Sequence, residues 1–330
     1  MFKFKALPFL LWSTAFILVA SILYHLPLNI ILLSLRQLTV VQWLTWISLN
    51  VAIIAVATQR WLTLVKGLDL SVPFYQLLKI RQAGQAISFI TPGPQFGGEP
   101  LQIYWLWKQQ RWPIHSALLA VGVDRFYELW INFGVLLISV ILLMTTSLNS
   151  LANTSITLNW PALLFGLLLI LLSLSLLGGF ILNHPDRVLI WLKRVTHYWQ
   201  HHPLLANLET QWQHLHSDLK LLMTQRKSAL LSAFMWSVIG WFGLISELWL
   251  ILSFFDLDLS VSHFLMIFVA MRLAFLLPLP GGIGTLEASL FWIFQTLDLP
   301  LSAVMSVIAL MRLRDVVTLL VGLGFVRGLR

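Results

Sequence analysis

The sequence predicts an all-α polytopic integral membrane protein with six full spans plus two re-entrant helical hairpins, arranged as an inverted-topology repeat. Three observations predict this. Of 330 residues, 58% are hydrophobic and 10% charged, with a mean hydropathy of +0.85, far from the roughly 25% charged composition of soluble domains. Apolar stretches recur at lengths that cross a bilayer. A Gly/Pro-broken apolar pattern also occurs twice, each time followed by the same order of charges. At about 20 residues per span there is no room for a sizeable soluble catalytic domain, so residues 1–330 read as a single membrane domain. There is no cysteine, which removes disulfides, thiolate metal sites and cysteine nucleophiles.

Taken in order, Lys3 and Lys5 precede the apolar run Ala6 to Tyr24. No convincing small-x-small cleavage site follows, so this is read as an uncleaved first span at 7–26. Further full spans are expected at 39–58, 114–146, 160–182, 228–252 and 301–326. Two other apolar regions, 73–107 and 262–298, are interrupted by Thr91-Pro92-Gly93-Pro94-Gln95-Phe96-Gly97-Gly98-Glu99 and by Pro278-Leu279-Pro280-Gly281-Gly282-Ile283-Gly284. Each reads as two short helices and a turn. Residues 183–227 hold six of the nine His, including His201-His202 and His214-x-His216. Neighbours at those spacings point to different helix faces and no cysteine assists, so a solvated cytoplasmic linker is expected rather than a metal site. The 16 Trp, among them Trp43, Trp46, Trp105, Trp107, Trp112 and Trp160, fall mostly near predicted span ends and read as interfacial belts.

Orientation follows from the basic residues. With both termini in the cytoplasm, 16 of the 21 Lys and Arg fall on that side and only Arg36 falls outside. Arg125, Arg272, Arg312 and Arg314 lie within apolar segments. The count requires the first broken segment to enter and return from the cytoplasm, and the second from outside. The formal charge of +8 is then mostly a topology signal, with some attraction for anionic headgroups, and nucleic acid is not expected as a partner.

The repeat aligns residue by residue. Pro92 matches Pro280 and Glu99 matches Glu287 at an offset of 188, while Pro113/Pro300, Arg125/Arg312 and Glu128/Asp315 match at 187. The repeat cores are 73–146 and 262–326, entering from opposite sides as in many secondary transporters. Each Pro-to-Arg interval sets its arginine about 18 Å along its helix, near the bilayer midplane. An arginine there costs roughly 2.5–3.5 kcal/mol and needs partners. Candidates are Glu99, Asp124, Glu128, Glu287 and Asp315, with Glu247 nearer the outer surface.

Two readings stand side by side. In one, these are structural ion pairs that stitch the re-entrant segments to the spans. In the other, favoured on the recurrence in both halves, they also line a hydrated cavity for a charged substrate. Its candidate binding residues are Arg125, Arg312, Arg272, Glu99, Glu287, Glu128 and Asp315, with Gly97, Gly98, Gly281 and Gly282 of the turns. Glycine turns just ahead of short helices would present backbone amides to phosphate or carboxylate. Glu99 and Glu287 could instead cap their own helices or take a proton. No nucleophile motif, dinucleotide fingerprint, P-loop or metal-ligand spacing is found, so neither enzyme activity nor a metal or cofactor is expected. A membrane-embedded lipid-modifying enzyme using paired acids remains the alternative chemistry.

The residues Thr91-Pro92-Gly93 to Gly97-Gly98-Glu99, and Pro280-Gly281-Gly282-Ile283-Gly284-Thr285-Leu286-Glu287, each followed by Arg125 or Arg312, resemble the flippase-like transmembrane region of the lysylphosphatidylglycerol synthase family over nearly the whole chain. The resemblance implies a helical fold with inverted re-entrant elements, a bacterial plasma (inner) membrane location, and movement of lipid between leaflets. The implied substrate is a membrane lipid: an anionic phospholipid, a glycolipid or a polyprenyl-linked lipid. The chain stops at Arg330 without the soluble aminoacyl-transferring domain of the two-domain synthases, so a stand-alone member is expected and synthesis of a lysyl-lipid is not. A lipid or glycan synthesis enzyme, or a second copy of the chain, would suit as protein partner. The competing functional reading is a non-transporting partner that delivers lipid to such an enzyme.

Overall fold

A computed structural model describes residues 35–36, 38–91, 97–147, 160–195, 208–257, 259–277 and 279–329. The expected first span at 7–26, Pro92 to Phe96 of the first turn, and His201-His202 lie outside these residues. Among the described residues the chain is helical throughout, with no strand. The helices are α1 (Val40–Gly67), α2 (Phe74–Ile90), α3 (Glu99–Gln109), α4 (Ile114–Ser147), α5 (Trp160–Asn183), α6 (Pro185–Val195), α7 (Leu208–Thr224), α8 (Lys227–Ser253), α9 (Val261–Ala274), α10 (Thr285–Thr296) and α11 (Leu301–Gly328). A single 3₁₀ turn, Pro280–Gly282, stands between α9 and α10.

Local chemistry sets the boundaries. Thr39 opens α1 with a capping box: its hydroxyl accepts from the Gln42 amide at 3.3 Å and Gln42 accepts from the Thr39 amide at 2.8 Å. Ser260 caps α9 through the His263 amide at 3.2 Å. Pro73 and Pro300 stand immediately before α2 and α11, where a missing amide hydrogen has no cost.

Helices α1, α4, α5 and α8 are long and apolar enough to cross a membrane. Helix α11 is as long as α1, at 28 residues, but carries Arg312, Arg314 and Asp315 at its centre. Each Gly/Pro-broken region holds two helices, α2 and α3 in the first and α9 and α10 in the second. Both α1 and α8 pass their expected spans, and α1 reaches Gly67 rather than residue 58. Residues 183–227, read as the linker between the halves, are largely helical where they are described. They form α6 and α7, joined to each other through Trp212 Nε1 donating to the Pro185 carbonyl at 3.0 Å, and α7 docks on α4 through His115 to Gln211 at 2.9 Å. His214 stacks on His115 with ring centroids 5.1 Å apart.

The helices recur along the chain. Starts at 40, 74, 99 and 114 return at 227, 261, 285 and 301, offsets of 187, 187, 186 and 187. Backbone conformation repeats with them. The non-glycine residues held at positive φ are Asp69 and Asp256, and Arg111 and Asp298, each pair 187 apart. Gly97 and Gly284, also at positive φ, fall at the same offset.

Packing exchanges the halves reciprocally. Helix α2 packs on α11 while α9 packs on α4, and α1 packs on its own counterpart α8. That last pair is antiparallel, since Gly67 faces Ala229, Val56 faces Gly240 and Ile53 faces Gly243. One apolar core surrounds α8 to α11 and another α1 to α4. Smaller clusters bridge the halves: Ala86, Leu319 and Leu323 between α2 and α11, and Val269 with Leu136 and Val140 between α9 and α4. Trp46, Trp105 and Trp112 are buried in these cores, which corrects their reading as belt residues. Burial of apolar indole surface against α-helical neighbours outweighed the interfacial preference that the sequence position suggested.

The α2–α11 contact depends on Gly322. A Cβ there would stand 2.6 Å from the Ala86 Cβ and would strike the Gln82 carbonyl oxygen. Backbone cannot yield as a side-chain tip can, so Gly322→Ala is expected to lower stability by about 1–3 kcal/mol. Gly324→Ala, where a Cβ meets nothing within 4 Å, should leave it unchanged. Thermal unfolding of both variants in the same detergent checks this.

Candidate functional site

The charges that the sequence placed in apolar segments converge into two clusters. The first is built on α4. Asp124, 4% exposed, accepts from Arg60 Nε of α1 at 2.9 Å and from Arg81 of α2 at 2.8 Å, so one carboxylate ties three helices together. Arg125, the next residue, pairs through Nε with Glu99 at 2.7 Å and through a terminal nitrogen with Glu128 at 2.6 Å. Glu128 also lies 3.8 and 3.7 Å from Arg60 and Arg81.

The second cluster is built on α11. Arg312, 2% exposed, is fully engaged. Its Nε and one terminal nitrogen grip both oxygens of Glu287 at 2.6 and 2.9 Å. The remaining bonds go to Asp315 at 3.0 Å and to the carbonyls of Gly281 and Gly282, both at 2.9 Å. A guanidinium has five N–H donors, and all five are used. Arg314 adds Glu247 of α8 at 2.6 Å and Asp315 at 3.1 Å.

The glycine turns serve these ion pairs. Gly281 and Gly282 sit at φ 58 and 60, a left-handed conformation that only glycine adopts without strain, and it aims both carbonyls at Arg312. Gly98 lies so close to the Gly84 backbone of α2 that a Cβ would overlap the Gly84 carbonyl. The expected anion cradle of turn amides is not what these residues form. The Gly97 and Gly284 amides donate to the helices' own acids, Glu99 Oε2 at 2.7 Å and Glu287 Oε2 at 2.9 Å, while Gly98 donates to Ser88 Oγ at 2.9 Å. A carboxylate covalently fixed at each helix start satisfies the positive end of the dipole, which is the capping alternative.

Of the sequence-derived candidates, the structure therefore joins Arg125, Glu99, Glu128, Gly97 and Gly98 in one place, and Arg312, Glu287, Asp315, Gly281 and Gly282 in another. Arg272 belongs to neither set of ion pairs. It lies over the rings of Trp241 at 4.6 Å and Phe268 at 5.3 Å. Arg60 and Arg81, which the sequence places among the cytoplasmic basic residues, are buried within the helices and bound to Asp124. Their position near span ends gave no sign of it. The available signal was Asp124, an acid next to Arg125 with no arginine partner in its own helix.

The two clusters differ in closure. Arg312 is sealed, whereas among the described residues Arg125 binds Glu99 and Glu128, and the Glu128 side chain is 33% exposed. Both together define a multi-helix membrane protein whose interior charges are paired between helices within each half. The chain belongs to the family described as the lysylphosphatidylglycerol synthase TM region, whose model matches residues 6–322. It is 26% identical over 262 residues to a UPF0104 membrane protein of Methanothermobacter thermautotrophicus, covering 77% of this chain and 75% of the relative. It is 23% identical over 267 residues to a UPF0104 membrane protein of Methanocaldococcus jannaschii, covering 80% and 77%. No solved structure matches it.

Removing Arg312 would strand Glu287 without a counter-charge and leave Asp315 with Arg314 alone. Breaking a buried pair this way costs about 3–5 kcal/mol, so Arg312→Ala should lower the unfolding temperature strongly. Arg226→Ala, which removes an exposed pair with Asp69 at 2.8 Å, should change stability by about 1 kcal/mol or less. Parallel melting curves in detergent distinguish the two.

Proposed function

We propose that the chain carries a polar or anionic lipid between the leaflets of the plasma membrane, with its two halves acting as inverted-topology repeats. The substrate class is an anionic phospholipid, a glycolipid or a polyprenyl-linked lipid. The observation that carries this reading is the pairing of two arginine-anchored, helix-breaking turns on halves whose counterpart helices α1 and α8 run antiparallel. Broken helices at the interface of inverted repeats are the usual site of transport in such folds, and rocking of one half against the other exposes that site alternately.

The unequal closure of the clusters supports an alternating cycle. In this reading the first re-entrant hairpin enters from the cytoplasm, both termini are cytoplasmic, and the cluster around Arg125 is the open one. Among the described residues Arg125 keeps donors that can meet a headgroup phosphate, while the acyl chains stay in lipid. The Arg312 cluster is the closed counterpart, and it opens when its bonds to the Gly281 and Gly282 carbonyls are exchanged.

Leaflet exchange of a fluorescent anionic phospholipid in proteoliposomes, read by quenching of the outer leaflet, tests the reading. Exchange well above empty liposomes is expected, slowed more than tenfold in Arg125→Ala without loss of fold. Arg312→Ala should also fail, with lowered stability. Undiminished exchange in both variants would overturn the site. No exchange by the wild type, with a lipid or glycan synthesis enzyme co-purifying, would replace transport by the partner-protein role.

A further inference from the structure

Apart from Arg327 in the last turn of α11, six arginines lie along α1, α2, α4, α9 and α11, and five of them make an ion pair of 3.0 Å or shorter. Arg272, in the last turn of α9, makes none. Its Nε is buried without a hydrogen-bond partner, and its guanidinium rests on the faces of Trp241 and Phe268. The charges it feels are Arg314, which repels it, and Glu247, which attracts it, but Glu247 is already held by Arg314 at 2.6 Å. The carboxylate keeps one oxygen, Oε1, unpartnered. The negative end of the α9 dipole favours a cation at this position, yet it supplies no acceptor for the guanidinium hydrogens. Eleven residues into α9, counting from Val261, Arg272 lies about 16 Å along the helix. A cation at such depth without hydrogen bonds is costly.

We infer that Arg272 is the anchor for the phosphate of an amphiphilic anion, bound between α8 and α9. This rests on the lipid reading above and names the residue that holds the headgroup on the second half, where Arg312 has no donor to give. The aromatic faces of Trp241 and Phe268 hold the guanidinium in place from one side, which leaves its fork to meet a phosphodiester on the other. The same elements tell a lipid from a free anion. Ile239 and Phe242 of α8 and Leu277 and Leu279 after α9 are 49%, 66%, 51% and 44% exposed. Exposed apolar surface on the same segments that carry a cation without an ion pair among the described residues fits a ligand with a charged head and a hydrocarbon tail.

The test is native mass spectrometry of the purified chain in detergent, titrated with dioleoyl phosphatidate, with inorganic phosphate as the tail-less arm. Wild type should bind phosphatidate, and inorganic phosphate should not displace it at a hundredfold excess. Arg272→Gln should weaken binding at least tenfold, with Arg272→Lys intermediate because it keeps the charge and loses the fork. A melting curve for each variant establishes folding, and the lysine variant serves if the glutamine variant is unstable. Equal binding by wild type and either folded variant overturns the assignment, as does absence of binding to wild type. Displacement by inorganic phosphate overturns the lipid source. Leaflet exchange measured on the same proteins separates the two ideas: Arg272-dependent binding without any exchange defeats transport and leaves the anchor standing.

Discussion

A guanidinium removed from water must have its hydrogens and its charge answered by the protein, and most of the architecture around the two turns follows from that demand. Arg312 is the fullest case. Its five donors need five acceptors converging from one side, and no single helix can supply them. The chain answers with two carboxylates and two carbonyls, from α10, α11 and the turn at Gly281 and Gly282. The turn has the left-handed glycines it has because its carbonyls must face inward. Loss of either side leaves the other buried and unpaired, so turn and arginine stand or fall together.

The two halves reproduce this plan in backbone and not in side-chain detail. At the offset of 187, Arg60 of α1 corresponds to Glu247 of α8. Each reaches the long helix of its own half, Arg60 toward Asp124 and Glu247 toward Arg314, so the ion pair keeps its place while its polarity is reversed. Arg81 and Asp124, bonded to each other in the first half, correspond to Phe268 and Met311, both in the apolar core of the second. Helix starts and positive-φ positions tolerate no such drift, because they are fixed by where one helix must end and the next begin. The difference in closure between Arg125 and Arg312 arises within this shared frame.

Membership of the family places the chain among membrane domains. Ion pairs between helices stabilise a bundle whose apolar faces have no hydrophobic drive to associate within lipid. The close contacts at Gly67, Gly243 and Gly322 supply the other component, dense packing of backbones.

The sequence by itself determined the helical membrane class, the two broken segments, the pairing of Arg125 and Arg312 with Glu99, Glu128, Glu287 and Asp315, and the offset between the halves. These are legible because hydropathy, glycine and proline are local signals and because a buried charge must be compensated wherever it lies. Only the tertiary structure decided that Arg60 and Arg81 are interior, that Trp46, Trp105 and Trp112 are core, that the turn amides are taken by the chain's own carboxylates, and that Arg272 alone among six arginines lacks an acceptor. Each of these depends on which helix faces which. A residue at the end of an apolar stretch reads identically whether its neighbour is water or another helix, and only the packed chain distinguishes them.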